Sequence, residues 1–104
     1  MIDKLEALLA GGQDSASLRF ALANLYLKRN ETGPALAHAQ VAVELDPNYS
    51  AAWRVLGQSQ AAAGQDSEAR MSFERGIEVA KQSGDRQVEK EMQVFLRRLQ
   101  RPDI

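Results

Sequence analysis

The sequence contains no cysteine and only one histidine, and both scarcities exclude kinds of chemistry. Without thiols there can be no disulfide, no thiolate zinc site and no cysteine nucleophile. His38 has no second histidine or cysteine with which to share a metal ion, so we expect no metal there. Gly11-Gly12 lacks the preceding strand and following Lys-Ser/Thr of a phosphate loop. With no nucleophile, base and orienting residue in a recognisable set, we predict that the chain is not an enzyme and has no cofactor.

Long apolar runs are also missing, since no stretch approaches the roughly 20 residues that span a bilayer. Residues 1–10 alternate charge with leucine and lack the apolar core of a signal peptide, so we expect a cytoplasmic protein without membrane insertion. The 13 basic and 14 acidic residues give a net charge of −1, which creates no overall field that attracts nucleic acid. We interpret the basic end formed by Arg97, Arg98 and Arg101 as favourable to a helix C-terminus rather than as a nucleic-acid contact.

The pattern that is present throughout is helical. No segment alternates strictly like a β-strand, and no Pro/Gly/Ser-rich linker divides the 104 residues, so we expect one all-α domain. Turn residues separate the helices: Asn30 and Gly64 end helices, Pro34 opens the third, and Asp14 or Ser15 caps the second. The six predicted helices cover about residues 2–10, 16–29, 34–45, 49–63 (with Asn48 as a possible cap), 67–82 (ending at Ser83-Gly84) and 85–100.

Residues 16–49 resemble residues 50–83 at an offset of 34. Leu22 falls on Leu56 and Ala35 on Ala69 at this offset. A period of 34 residues with helical patterning is typical of paired-helix repeats, which usually present a surface to a partner. The question about function is therefore what the surface binds.

The second copy contains Trp53, Leu56-Gly57, Ala69 and Phe73, which resembles the pattern of the tetratricopeptide repeat. The first copy supplies Leu22, Ala23, Tyr26, Ala35, Ala42 and Pro47 at other positions of the pattern. The departures are Arg19 for the tryptophan, Gln60 for the tyrosine, Ala39 for the phenylalanine and Lys81 for the proline.

The resemblance implies antiparallel helix pairs in a short right-handed α-solenoid. Residues 16–49 and 50–83 would form two repeats, and small residues such as Ala23 and Gly57 would let paired helices approach closely. Helix 85–100 continues the 34-residue phase and is expected to cap the C-terminal end. Residues 2–12 are expected to form an N-terminal capping helix.

In this family the first helices of successive repeats line a concave groove that holds a peptide. The resemblance implies that Asn24 holds a peptide backbone and that Arg54 pairs with a carboxylate. Of the residues with which some family members clamp the terminal carboxylates of chaperones, only Asn24 is present, so we do not expect that class of partner. Phe95 and Leu96 also stand at groove positions, but we expect them in the cap core rather than in contact with a ligand. The predicted groove residues are Phe20, Asn24, Leu27, Lys28, Arg54, Gln58, Val88 and Met92, with Ser17, Ala51, Ala61, Ala62 and Asp85 at further groove positions.

The favoured hypothesis is a protein–protein interaction module that binds a peptide segment of an unidentified partner, as a monomer or weak homo-oligomer. The alternative is a structural protein that homo-oligomerises through the apolar stripe of helix 85–100, formed by Val88, Met92 and Phe95. A third hypothesis is that helix 2–10 folds into the groove and regulates access. Phe20 can either face the groove or pack under that helix.

If the repeat register is right, the Trp53 ring packs between helices. Trp53→Ala should then lower the free energy of unfolding by roughly 3–5 kcal/mol, because it removes a buried ring and leaves a cavity. Chemical denaturation of the two proteins checks this, and a near-neutral change would mean that the register is wrong.

Overall fold

The computed structural model describes residues 1–100, and Arg101, which the sequence analysis assigned to a helix end, lies outside them. The described residues form antiparallel helix pairs, which confirms the predicted all-α solenoid fold. No helix among them is long and apolar enough to cross a membrane. The six helices are α1 (Ile2–Ala10), α2 (Ala16–Lys28), α3 (Thr32–Leu45), α4 (Ser50–Ala62), α5 (Asp66–Ser83) and α6 (Arg86–Gln100).

Most helix ends follow from the local sequence. The Ser15 hydroxyl accepts a hydrogen bond from the Leu18 backbone N–H at 3.1 Å, so Ser15 is the residue that caps α2. Asn30 has a φ of 60° and Gly64 a φ of 78°, and both allow the chain to turn after a helix.

One predicted helix start and one predicted helix cap were wrong. Helix α3 begins at Thr32, and Pro34 lies in its first turn. The N–H groups of a first turn have no acceptor within the helix, so the missing N–H of Pro34 costs no hydrogen bond. Asn48 does not cap α4, which begins at Ser50 without a side-chain cap.

Each repeat is a helix pair, with α2 packed on α3 and α4 packed on α5. The pairs stack because α3 packs on α4 and α5 packs on α6, while α1 contacts α2. The first helices α2, α4 and α6 also contact one another in that order. One face of the stack is therefore formed by the first helices, and the other by the second helices α3 and α5.

The core consists of two clusters of buried residues that meet at Trp53. The first cluster joins α2, α3 and α4, and the second joins α5 and α6; Trp53 is half-buried and packs against both. Its indole Nε1–H donates a 2.7 Å hydrogen bond to the Pro47 carbonyl, so the ring is fixed at its polar edge as well. The predicted packing of Trp53 between helices is confirmed.

Two glycines set the distance between neighbouring helices, because neither has room for a side chain. A Cβ added at Gly57 would lie 2.5 Å from the Phe73 ring, so α4 and α5 touch through this residue. A Cβ at Gly76 would clash with the Met92 sulfur and the Trp53 Cβ. Lengthening either residue by one carbon must therefore push two helices apart.

The C-terminal helix α6 turns a polar face outward where α4 turns an apolar one. At the 34-residue offset, Lys90 replaces Leu56 and Glu89 replaces Val55, so the face that would cover a further helix is polar. Met92 is buried, and Val88, Phe95, Leu96 and Leu99 pack against the second cluster. Val94, 36% exposed, is the one large hydrophobic residue that the described part of α6 exposes. Of the apolar stripe that motivated the homo-oligomer alternative, Met92 is buried, and Val88 and Phe95 are partly buried against the second cluster.

Gly57→Ala should destabilise the protein by about 1–3 kcal/mol, because overpacking against Phe73 outweighs the gain in helix propensity. Gly11→Ala is the matched control: Gly11 is exposed at the end of α1 with a φ of −80°, and an added Cβ would make only ordinary contacts, the nearest at 3.4 Å from the Ala7 carbonyl oxygen. This control should be neutral or stabilising by up to about 1 kcal/mol. Urea denaturation of both variants checks the pair, and equal effects would contradict the helix contact at Gly57.

Candidate functional site

The concave face contains one cleft where the three first helices meet. With Ala16, Ser50 and Gly84 counted as position one of each repeat, position twelve is Leu27, Ala61 or Phe95. These three side chains line a single cleft of about 450 Å³. Its other lining residues are Asn30, Gln58, Phe73, Arg98 and Leu99.

The cleft has an apolar floor and a polar rim. Phe95 stacks on Phe73 with ring centroids 5.6 Å apart, which fixes the aromatic wall against the buried core. The Arg98 guanidinium lies 5.8 Å from the centre of the Phe95 ring and brings a cation to the edge of the cleft. Gln58 and Asn30 add amide groups. Apolar walls with a few polar groups are the usual composition of a binding cleft.

Arg54 is a second cation on this face. It is half-buried, and its Nη1 donates to the Gln58 Oε1 at a long 3.4 Å. Its Nε is buried, and no described residue accepts a hydrogen bond from it. A guanidinium with unused donors favours an acceptor from outside the chain.

The structure spreads the predicted groove residues over several environments. Leu27 and Gln58 line the cleft. Phe20 packs against the first cluster, with its ring centroid 5.1 Å from that of Tyr49. Lys28 is exposed and Asn24 half-buried on α2, and Val88 packs against the second cluster.

The placement of Met92 in the groove was wrong. Its side chain is 0% exposed and fills the space beside Gly76, where a Cβ would collide with the methionine sulfur. Met92 therefore belongs to the core between α5 and α6. The remaining groove residues stay predictions as peptide contacts.

Sequence reasoning missed four cleft residues, which are Asn30, Phe73, Arg98 and Leu99. Phe95 was recognised at a groove position but was expected in the cap core, and one ring does both, since it packs on Phe73 and lines the cleft. Arg98 was interpreted as a helix-end charge; it lies in the last turn of α6 and also over the Phe95 ring.

A polar network joins α1 to the first repeat, away from the concave cleft. The Tyr26 hydroxyl donates to Glu6 at 2.6 Å, and the Tyr26 ring stacks on His38 with centroids 5.7 Å apart. His38 Nε2 lies 3.5 Å from the Glu6 carboxylate, and its Nδ1 lies 3.2 Å from Arg19 Nη1. Arg19 is in turn bound by both oxygens of Asp14 at 2.8 and 2.9 Å.

This network settles where α1 lies. Its Glu6 contacts Tyr26 and His38, and no residue of α1 lines the concave cleft. The hypothesis that helix 2–10 folds into the groove is therefore wrong for this structure.

The network also shifts the protonation of its members. The hydrogen bond from Tyr26 lowers the pKa of Glu6 below its ordinary value, and the same bond raises the pKa of Tyr26. The hydrogen bonds from Arg19 lower the pKa of Asp14, and those bonds raise the pKa of Arg19. Both carboxylates are thus favoured in their charged form while α1 and its loop are docked.

Comparison with known proteins agrees with this architecture. No protein-family model matches the chain. A TPR repeat-containing protein of Pseudomonas aeruginosa is 48% identical over 101 residues, which cover 97% of this chain and 96% of the relative.

Two solved structures are similar in fold and in sequence. A protein of Bordetella parapertussis, solved in solution, aligns with a TM-score of 0.81 at 43% identity, covering 95% of this chain and 86% of that one. The crystal structure of a tetratricopeptide repeat domain protein from Salinibacter ruber aligns with a TM-score of 0.76 at 29% identity, covering 83% of this chain and 97% of that one.

The docking of α1 should weaken in acid. Because the folded-state pKa of Glu6 lies below its unfolded value, its stabilising contribution is complete above the unfolded pKa of about 4.3 and is lost as the pH falls through the folded pKa. NMR chemical shifts of residues 2–10 should change as the pH falls below about pH 4. Glu6→Gln, which keeps an acceptor for Tyr26, should reduce this titration; an unchanged titration would contradict the assignment to Glu6.

Proposed function

This chain belongs to the tetratricopeptide repeat family, and we propose that it is a non-enzymatic module that binds a peptide segment of a partner protein along its concave face. Proteins with this fold generally mediate protein–protein interaction. The observation that carries the proposal is the cleft where Leu27, Ala61 and Phe95, the same repeat position on three helices, converge. A repeating surface of this kind suits an extended segment that crosses α2, α4 and α6 in turn.

The chemistry of the cleft specifies what such a segment presents. The Phe95 and Leu99 side chains offer an apolar wall to a hydrophobic side chain. Arg98 brings a cation to the rim of the cleft, and the half-buried Arg54 guanidinium is a second cation on the same face. The segment therefore carries an apolar residue with a carboxylate close to it in sequence.

The one acidic groove position does not offset these cations. The Asp85 Oδ2 accepts from the Ser50 hydroxyl at 2.9 Å, and its Oδ1 accepts from the Val88 backbone N–H at 3.4 Å. This carboxylate is thus occupied at the start of α6. The concave face therefore prefers an acidic ligand. We expect a dissociation constant on the order of micromolar, because the face has one cleft in which a side chain of the ligand can be buried.

Selection of peptides displayed on phage against the purified protein tests the proposal. Peptides that pair an apolar residue with Asp or Glu should be enriched. Arg98→Glu should weaken binding of a selected peptide by about tenfold or more, because it removes a cation from the rim and adds a repelling charge.

Arg97→Glu is the matched control. Arg97 is the neighbouring exposed arginine in the last turn of α6 and does not line the cleft, so both variants lose the same helix-end charge. Isothermal titration calorimetry with one selected peptide should separate the two. Equal effects of the variants, or no enrichment of acidic peptides, would overturn the groove assignment.

A further inference from the structure

A second cleft lies on the opposite face, between the second helices α3 and α5 and above α4. Its volume is about 440 Å³, similar to that of the concave cleft. It is lined by Gln40, Trp53, Leu56, Gln60, Glu68, Met71, Ser72 and Arg75.

The same place one repeat earlier in the chain is filled by the protein's own side chains. At the 34-residue offset, Gln60 corresponds to Tyr26 and Ser72 to His38, and Gln40 corresponds to Glu6. In the first repeat, Tyr26 and His38 are a stacked pair of rings with an interplanar angle of 9°, and Glu6 accepts the tyrosine hydroxyl. The second repeat replaces both rings with short polar side chains, and a cleft remains there.

The cleft keeps a polar group without a partner. Gln60 is only 8% exposed, and its Oε1 accepts a 2.5 Å hydrogen bond from the Ser72 hydroxyl. No described residue accepts a hydrogen bond from the Gln60 amide Nε2, although an amide nitrogen has two hydrogens to donate. The Nε2 is not one of the fully buried atoms without a partner, so it is accessible from the cleft and can donate to an acceptor that a ligand supplies.

The walls around this donor suit an aromatic ring. Trp53 and Leu56 form apolar lining, and the Trp53 N–H is already bound to the Pro47 carbonyl, so the indole meets a ligand as an apolar surface. Met71 is 68% exposed at the rim, where a flexible thioether makes favourable contacts with aromatic rings.

We propose that this cleft binds a tyrosine side chain of a partner protein. The ring takes the place that the Tyr26 and His38 rings fill in the first repeat. The phenolic oxygen accepts a hydrogen bond from Gln60 Nε2, in a position where Tyr26 supplies its own hydroxyl one repeat earlier. The site lies on the face formed by α3 and α5 and does not depend on the concave groove.

The test uses 4-methylphenol, which is the tyrosine side chain without its backbone, and toluene, which lacks the hydroxyl. Both are titrated into the whole protein and followed by NMR. 4-Methylphenol should shift the signals of the Trp53 indole, the Gln60 side-chain amide and the Met71 methyl, with a dissociation constant on the order of millimolar. Toluene should bind at least about fivefold more weakly, because it leaves the Gln60 amide unpaired.

The double variant Gln60→Tyr/Ser72→His gives the second repeat the ring pair of the first. It should weaken 4-methylphenol binding at least about tenfold, because the protein then fills the cleft itself. Gln82→Tyr/Ser83→His makes the same two substitutions at exposed positions near the end of α5 and should bind like the unmodified chain.

Gln60→Met provides a second measurement if the double variant does not fold. Methionine keeps the length of the side chain and removes the amide, so the preference for 4-methylphenol over toluene should disappear. Equal binding of the two probes to the unmodified protein would overturn the proposal. Shifts confined to Leu27 and Phe95 on the concave face, or undiminished binding to the folded double variant, would overturn it as well.

Discussion

Neighbouring helices come closest at Gly57 and Gly76, and this close approach governs how the helices of the solenoid pack. A methyl group at Gly57 would enter the Phe73 ring, and one at Gly76 would meet Met92 and Trp53. In this close-packed core, the distance between the helices therefore leaves no room for one more carbon atom at either glycine. The same spacing decides how the first helices lie beside one another, and hence where a cleft opens on either face of the stack.

The two repeats differ in pairs of residues that occupy corresponding places. Ala23 and Ala39 hold the positions of Gly57 and Phe73, so two small residues in one repeat correspond to a glycine and a large ring in the other. The Phe73 ring then fills the space above Gly57. Tyr26 and His38 hold the positions of Gln60 and Ser72, where the second repeat has no ring, and a cleft lies there.

The two ends of the helix stack are capped in different ways. At the N-terminal end, α1 is attached by the hydrogen bonds and charges around Glu6 and Tyr26, which respond to acid. At the C-terminal end, α6 buries Met92 on one side and shows Lys90 and other polar residues on the other. Between the two ends, the Gln60 amide lines the cleft on the α3 and α5 face, and the Arg54 Nε is buried on α4 without an acceptor among the described residues.

The helices, the 34-residue repeat and the all-α solenoid could be predicted from the sequence, because turn residues such as Asn30 and Gly64 and a two-copy pattern are local or periodic signals. The repeat pattern also placed Leu27 and Gln58 at positions that line the concave cleft. The packing of one helix on another makes Met92 a core residue and makes Phe95 a cleft wall with Arg98 over it. A repeat position states which stripe of a helix a residue occupies. Whether that stripe is covered depends on the size of a residue on another helix, as with Gly76 beneath Met92, and such a contact has no signature in the local sequence.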